Sequence, residues 1–474
     1  MLAILICITL YGDKTNARAV GTFYNFNLQF NAAQNPSNNF ILQNFTIHWN
    51  GSTGNLFITH QNNPSKILWQ NIAGKGFCGA AQGNETITES RGSFNIVDAK
   101  SNITQTQTIE SITLVNNQLT IKGQFLAAQN TNYTLSIYEE SSNQLHFDLQ
   151  TENINFNRLY LSYACETGEQ FFGFGEQPSH LNHKGNRVPV LVQEQGIGRG
   201  DNITDNAFVN GIVNLTLGAS VGDDYTSYKV VPQYISSKSN AFFLKNYEYS
   251  EFDFTKNNQI QIELYAGKLE GNLIYAENPY QAIEEYTSYC GRMQPLPAWI
   301  VSGAIIGMQG GTAKLYDIWQ KMKNADVPVI AFWTQDWIGQ RTTLAGKQLW
   351  WNWELDNDRY PNWNLLHDSL SSNSISLMGY INPFLVDVTA EKSNYRRDMY
   401  KEATQNNYLV LNDAGQPYQV QNTSFTSGVL DLSDTGCVHW IKDIIKDEML
   451  ARGLKGWMAD FAEALPFDVE LHSG

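Results

Sequence analysis

The sequence predicts a multidomain chain of two classes, an N-terminal β-sandwich followed by the first half of a (β/α)8 TIM barrel, C-terminally truncated. Three observations predict it. Up to about residue 290, short runs alternate apolar and polar residues with period two, separated by Asn, Gly and Ser. Beyond that point, apolar strand-like runs alternate with helical stripes, as right-handed βαβ units require. Polar and aromatic residues gather just past the strand ends, and no glycine-rich phosphate turn is present, which favours a barrel over a doubly wound sheet.

The elements follow in order. Residues 1–17 hold the apolar stretch Leu2–Leu10 and the small residues Thr15-Asn16-Ala17, the outline of a secretory signal, although the only residue before the apolar run is Met1. This predicts a secreted protein or one of the secretory and lysosomal pathway. Residues 18–290 form the sandwich: Tyr24, Phe26, Leu28 and Phe30 alternate with polar residues, as do Leu145, Phe147 and Leu149, then Ile260, Ile262 and Leu264. A helix over Pro279–Cys290 and the prolines Pro295 and Pro297 lead into residues 291–474, the partial barrel. Its expected strands are Ile300–Ile306, Val327–Trp333, Ile375–Tyr380 and Gly456–Phe461. Its expected helices carry Leu315, Ile318, Trp319 and Met322, then Asn364–Leu370, Ser393–Ala403, and a long one through Val438, Ile441, Ile445 and Met449.

Composition excludes several functions. Hydrophobic residues make up 42% and charged ones 16%, so the chain is not mainly disordered. A net charge of −15 argues against nucleic acid as a partner. No apolar run reaches the roughly 18 residues that span a bilayer. The cysteines Cys7, Cys78, Cys165, Cys290 and Cys437 form no Cys-x-x-Cys pair, and the eight histidines show no metal-ligand spacing, so no cofactor or metal is expected. Eight Asn-x-Ser/Thr sequons occur in a chain so rich in Asn that they carry little weight. The 23 Tyr and 12 Trp, with few charges, suit a site that stacks flat rings on neutral ligands, and large β-rich cores use the same residues. A homo-oligomer is compatible with all of this.

The sharpest chemical feature is Trp457-Met458-Ala459-Asp460-Phe461-Ala462-Glu463. A carboxylate at the C-terminal mouth of a barrel strand, flanked by aromatics, can attack an anomeric carbon while the sugar ring is held. The same acid also suits the N-cap of a following helix. Gln309 and Gln335 follow the first and second barrel strands. Their amides offer a donor and an acceptor in one plane to sugar hydroxyls, or else simply solvate the rim. Asp336 suits a hydroxyl acceptor, an orienting group or a salt bridge, and Trp351 a donor to a substituent or a packing residue.

Taken together, these segments resemble glycoside hydrolase family 31, the retaining α-glucosidase family, and within it the sulfoquinovosidase branch. The segment around Asp460 is similar to the family's nucleophile motif. Trp333-Thr334-Gln335-Asp336-Trp337, Gly346-Lys347 and Trp351-Asn352-Trp353 resemble that branch's second-strand loop, and Tyr380-Ile381-Asn382-Pro383 the third-strand end. Phe172-Gly173-Phe174-Gly175-Glu176-Gln177 and Glu194-Gln195-Gly196-Ile197-Gly198-Arg199 resemble its sandwich motifs. The resemblance implies hydrolysis of α-glucosides or α-sulfoquinovosides through a glycosyl-enzyme intermediate. Asp460 would be the nucleophile, with Gln309, Gln335, Asp336, Gln348, Trp351, Trp457 and Glu463 around the substrate. Alternatives are a non-catalytic carbohydrate-binding protein of the same fold and a family 31 α-glucan lyase.

One position departs from the branch. Where its pattern has an arginine after Gly-Lys, a residue that binds the substrate's sulfonate, this chain has Gln348. A neutral amide makes bonds roughly half as strong as a charge-assisted pair. The expectation is weak discrimination of the C6 substituent. The resemblance also places the acid/base beyond the nucleophile strand, so the 474 residues alone are expected to be inactive.

Overall fold

The computed structural model describes residues 22–90, 92–194, 224–343, 346–422 and 424–474. The apolar leader, the sandwich motif at 195–199 and the sequons Asn202 and Asn214 fall outside them. The chain divides into two compact units between Met293 and Gln294.

The first unit is built of β-sheet. Its described residues form sheets of ten, six and four strands. One pairing is parallel, Asn27–Phe30 against Thr106–Ile109. The period-two stretches form strands where their apolar residues reach the core: Gln144–Thr151 buries Leu145 and Leu149, and Gln259–Leu264 buries Ile260, Ile262 and Leu264. Phe45, Phe125 and Phe156 are fully enclosed in the same cluster, each worth about 1.5–3 kcal/mol by removal from water. In the strand Phe171–Gly175 the chain turns through positive φ at Gly173, Phe174 and Gly175. A Cβ on Gly173 would stand 2.5 Å from the Gln233 carbonyl oxygen, so only glycine allows this approach. The helix Pro279–Cys290 forms as expected, with Pro279 in its first turn and Asn278 accepting from the Gln281 N–H.

The second unit contains a parallel four-stranded sheet in sequence order: Ala304–Met308, Val329–Thr334, Ser376–Ile381 and Leu454–Ala459. Helices Gly311–Asn324 and Trp363–Ser371 follow the first two strands, burying Leu315 and Trp319, then Leu366 and Leu370. Three expectations need correction. The first strand starts at Ala304 because Ala298–Val301 winds into a 3-10 turn before Gly303. The third helix begins only at Met399, where Asp398 caps it, because the Arg396 N–H is already bound to Glu354. The long helix is α only over Thr435–Ile444 and then widens to a π turn at Ile445–Met449. Two small sheets were not foreseen, the hairpin Gln340–Thr343/Gly346–Leu349 and a three-stranded sheet around Thr426–Val429.

Candidate active site

The site grows from the C-terminal ends of the four parallel strands. Asp460 follows the fourth strand, and its N–H donates to the Ile381 carbonyl at 3.0 Å, so strand pairing continues onto the acid. Phe461 then adopts φ 64° and turns the chain into the 3-10 turn Ala462–Ala464. The Asp460 side chain is left half-buried at the sheet's end. The Tyr380 hydroxyl, from the third strand, donates to Asp460 Oδ2 at 2.7 Å. Asn382 Nδ2 donates to the Tyr380 oxygen at 3.3 Å, while Asn382 Oδ1 accepts the Phe384 N–H at 2.9 Å. Tyr380 is almost wholly buried; burial, then the adjoining carboxylate, push its pKa well up, so it remains a donor. Asp460 Oδ1 has no hydrogen-bond partner among the described residues. One oxygen is thus fixed and the other left for chemistry.

A row of amides lies across the first two strand ends. Gln309 Nε2 donates to Gln335 Oε1 at 2.5 Å, and Gln340 Nε2 donates to Gln309 Oε1. Gln340 Oε1 in turn accepts from Arg359 Nη2 at 2.8 Å. The chain of bonds orients all three side chains, and the Gln335 amide hydrogens have no partner among the described residues.

Of the roles the sequence allowed Asp336, the structure shows the ion pair rather than the substrate contact. It is fully buried, with no surface for a sugar hydroxyl. Its Oδ1 accepts from the Tyr360 hydroxyl at 2.6 Å; its Oδ2 accepts from Arg359 Nε at 2.6 Å and the Gly310 N–H at 2.8 Å. Asp336 therefore holds the rim loops together, and through Arg359 it steadies the amide row. Trp351 is mostly enclosed, at 6% exposure. Its ring stacks on Phe384 at 5.1 Å and meets Phe425 and Phe461 at 5.2 and 5.7 Å, forming an aromatic wall that reaches the residue after Asp460. Trp457 packs partly against the unit's core, and Glu463 lies in the 3-10 turn.

Gln348 lies on the hairpin with its Oε1 accepting from Thr343 Oγ1 at 2.9 Å, and its amide hydrogens have no partner among the described residues. Arg341 stands opposite it in register. The Arg341 guanidinium is buried over Phe425 and Trp350, 3.8 and 4.8 Å from their ring centres. Among the described residues its nearest carboxylate is Glu391 at 3.9 Å and its Nε has no partner, and burial lowers its pKa.

Residues 295–473 match the glycosyl hydrolases family 31 TIM-barrel domain, and residues 82–253 match the glycosyl hydrolase 31 N-terminal galactose mutarotase-like domain. The chain belongs to glycoside hydrolase family 31. Within it, the chain is 33% identical over 341 residues to a sulfoquinovosidase of Escherichia coli (strain K12), and 32% identical over 320 residues to one of Agrobacterium fabrum. These alignments take in 72% and 67% of this chain but 48% and 46% of those proteins. The chain spans about half the length of the curated relatives it matches. A solved family 31 sulfoquinovosidase from E. rectale, in complex with an aza-sugar inhibitor, superposes with a TM-score of 0.77 at 25% identity, across 92% of this chain and 61% of its own. The sulfoquinovosidase branch of family 31 is where these likenesses gather.

Reading residues one at a time missed Tyr380, Asn382, Gln340 and Arg359. Tyr380 and Asn382 stood inside the quoted third-strand motif, and that was the only signal for them. Gln340 and Arg359 carry none, since a hairpin and a loop bring them in. One histidine–carboxylate grouping among the described residues, His146, Asp148 and Glu270, lies in the other unit. Lys268 pairs with both carboxylates at 3.3 and 2.5 Å, so one of their two charges is already met.

Proposed function

We propose that the protein is a retaining α-glycoside hydrolase of the sulfoquinovosidase type. Asp460 Oδ1 attacks the anomeric carbon, the leaving oxygen departs, and water resolves the glycosyl-enzyme. The observation that carries this is the half-buried Asp460 at a parallel strand end, with one oxygen held by Tyr380 and the other unbonded. Gln335 and Gln309 hold substrate hydroxyls, and the wall of Trp351 and Phe461 shelters the reacting face. In this reading the proton donor is not assigned to any residue of the 474.

The C6 end of the substrate meets neutral donors. The Gln348 amide hydrogens are free, whereas the charge of Arg341 is spent on two aromatic faces. A hydroxyl and a sulfonate at C6 are therefore discriminated weakly. Export through Leu2–Leu10 belongs to the same reading; an intact Met1 on protein recovered outside the cell removes it.

The test is hydrolysis of aryl α-glycosides by protein expressed from its complete reading frame, with the anomer first released followed by NMR. The α-anomer should appear first, and Asp460→Asn should reduce kcat by about a thousandfold or more. Activity that survives Asp460→Asn, or a first product of β configuration, defeats the proposal.

A further inference from the structure

A cavity of about 630 Å3 opens in the N-terminal unit, within the roughly 300–1,000 Å3 range of small-molecule sites. One wall is Asn63–Gln70, the outer strand of the four-stranded sheet. The other is formed by the ends of the strands Arg158–Ala164, Val230–Ser236 and Ala241–Leu244. Asn240 ties the two walls, its Nδ2 donating to the Ile67 and Leu68 carbonyls at 3.3 and 3.4 Å. The Asn240 Oδ1 is buried and has no partner among the described residues.

The lining has two characters. Its floor is apolar and aromatic, from Trp69, Tyr163, Phe171 and Tyr234, each less than a tenth exposed. Its rim carries amides, hydroxyls and charges. Lys66 reaches the Ala276 carbonyl at 2.7 Å, and Lys238 pairs with Glu166 at 2.8 Å. Two lysines face three carboxylates, Glu166, Glu169 and Glu277, so the rim is close to neutral and gives an anion no net attraction. A wholly apolar ligand would strip water from the rim without replacing its hydrogen bonds. A ring with an apolar C–H face and hydroxyls at its edge satisfies both parts.

We infer that this cavity is a second carbohydrate site, one that binds a neutral pyranose or the end of a neutral oligosaccharide. It is independent of the role given to Asp460.

The experiment is calorimetric titration of the 474-residue chain with methyl α-glucoside and maltotriose. Ser65→Trp fills the cavity from an exposed rim position, and Glu169→Ala removes a rim carboxylate without touching the floor. Both should weaken sugar binding about tenfold or more, whereas Lys321→Ala, on an exposed helix face of the other unit, should leave this binding unchanged. Binding untouched by Ser65→Trp and Glu169→Ala overturns the inference. So does no heat at millimolar sugar.

Discussion

Replacing Asp336 separates two roles for one residue, holding the rim loops or touching the sugar. The carboxylate is sealed from water and accepts from three donors on two other segments, the Gly310 N–H, Arg359 and the Tyr360 hydroxyl. Asp336→Ala leaves all three facing a hole. Removing one partner of a buried ion pair costs about 3–5 kcal/mol. The Arg359 side chain is 26% exposed and regains some water, which sets the expectation at the lower end, about 3 kcal/mol. Asp336→Asn keeps the shape. With its amide oxygen in the Oδ2 position it still accepts from Gly310 and Arg359, while the Tyr360 hydroxyl rotates to accept from the new NH2. Only the charge is lost, at about 1–2 kcal/mol. Urea unfolding followed by tryptophan fluorescence reads the difference, since Trp363 packs edge-on to Tyr360 at 5.6 Å. Gln335→Ala, its half-buried neighbour, should stay within about 0.5 kcal/mol of the parent. An Asp336→Ala protein within about 1 kcal/mol of the parent would refute the structural role and return Asp336 to the substrate.

Three further outcomes are expected. The 474-residue chain should release no nitrophenol from an activated α-glycoside, because Glu463 lies beside Asp460 in sequence and Asp336 is sealed; turnover that requires Asp460 would end this expectation. In protein from the complete reading frame, kcat/KM for aryl α-sulfoquinovoside should exceed that for aryl α-glucoside by less than about a hundredfold, some 2.7 kcal/mol, and Gln348→Arg should widen the gap; a larger ratio in the parent shows that another cation serves the sulfonate. Glu251, buried beside Arg187, Glu263, Asp253 and Lys100, has its pKa pushed up by burial from about 4.5 to about 7. Between those values the native state holds the proton and the unfolded chain does not, so this contribution is complete below about pH 4.5. As pH rises toward 7 it fades by about 3 kcal/mol. Glu251→Gln should therefore flatten the fall in Tm between pH 5 and 8, and parallel curves would dismiss the assignment.

Much of the fold was legible because periodicity reports burial. Leu145 and Leu149, or Leu315 and Trp319, recur at the spacing of the element that hides them. The helix start at Met399 was not legible, because the backbone of Arg396 is claimed by Glu354, a partner 42 residues away. In the site, Asp460 and the two glutamines announced themselves by following strands. Asp336 looked identical to them in sequence, yet its neighbours Arg359 and Tyr360 come from a loop more than twenty residues on and enclose it. How the sandwich strands sort into sheets was not legible for a similar reason. Alternation says which residues face inward and is silent about which strands share a sheet.

Phe461 constrains how this site can vary. A non-glycine residue at φ 64° holds the chain in a conformation costing about 1 kcal/mol or more. Glycine would relieve that cost, but it would also remove the ring that meets Trp351 and Phe384. Asparagine would ease the turn and open the wall to water. The shape of the backbone and the dryness of the pocket thus draw on the same residue, and few single substitutions there can improve one without giving up the other. Variation in substrate choice is more accessible on the hairpin that carries Gln348, where side chains can change without moving the acid.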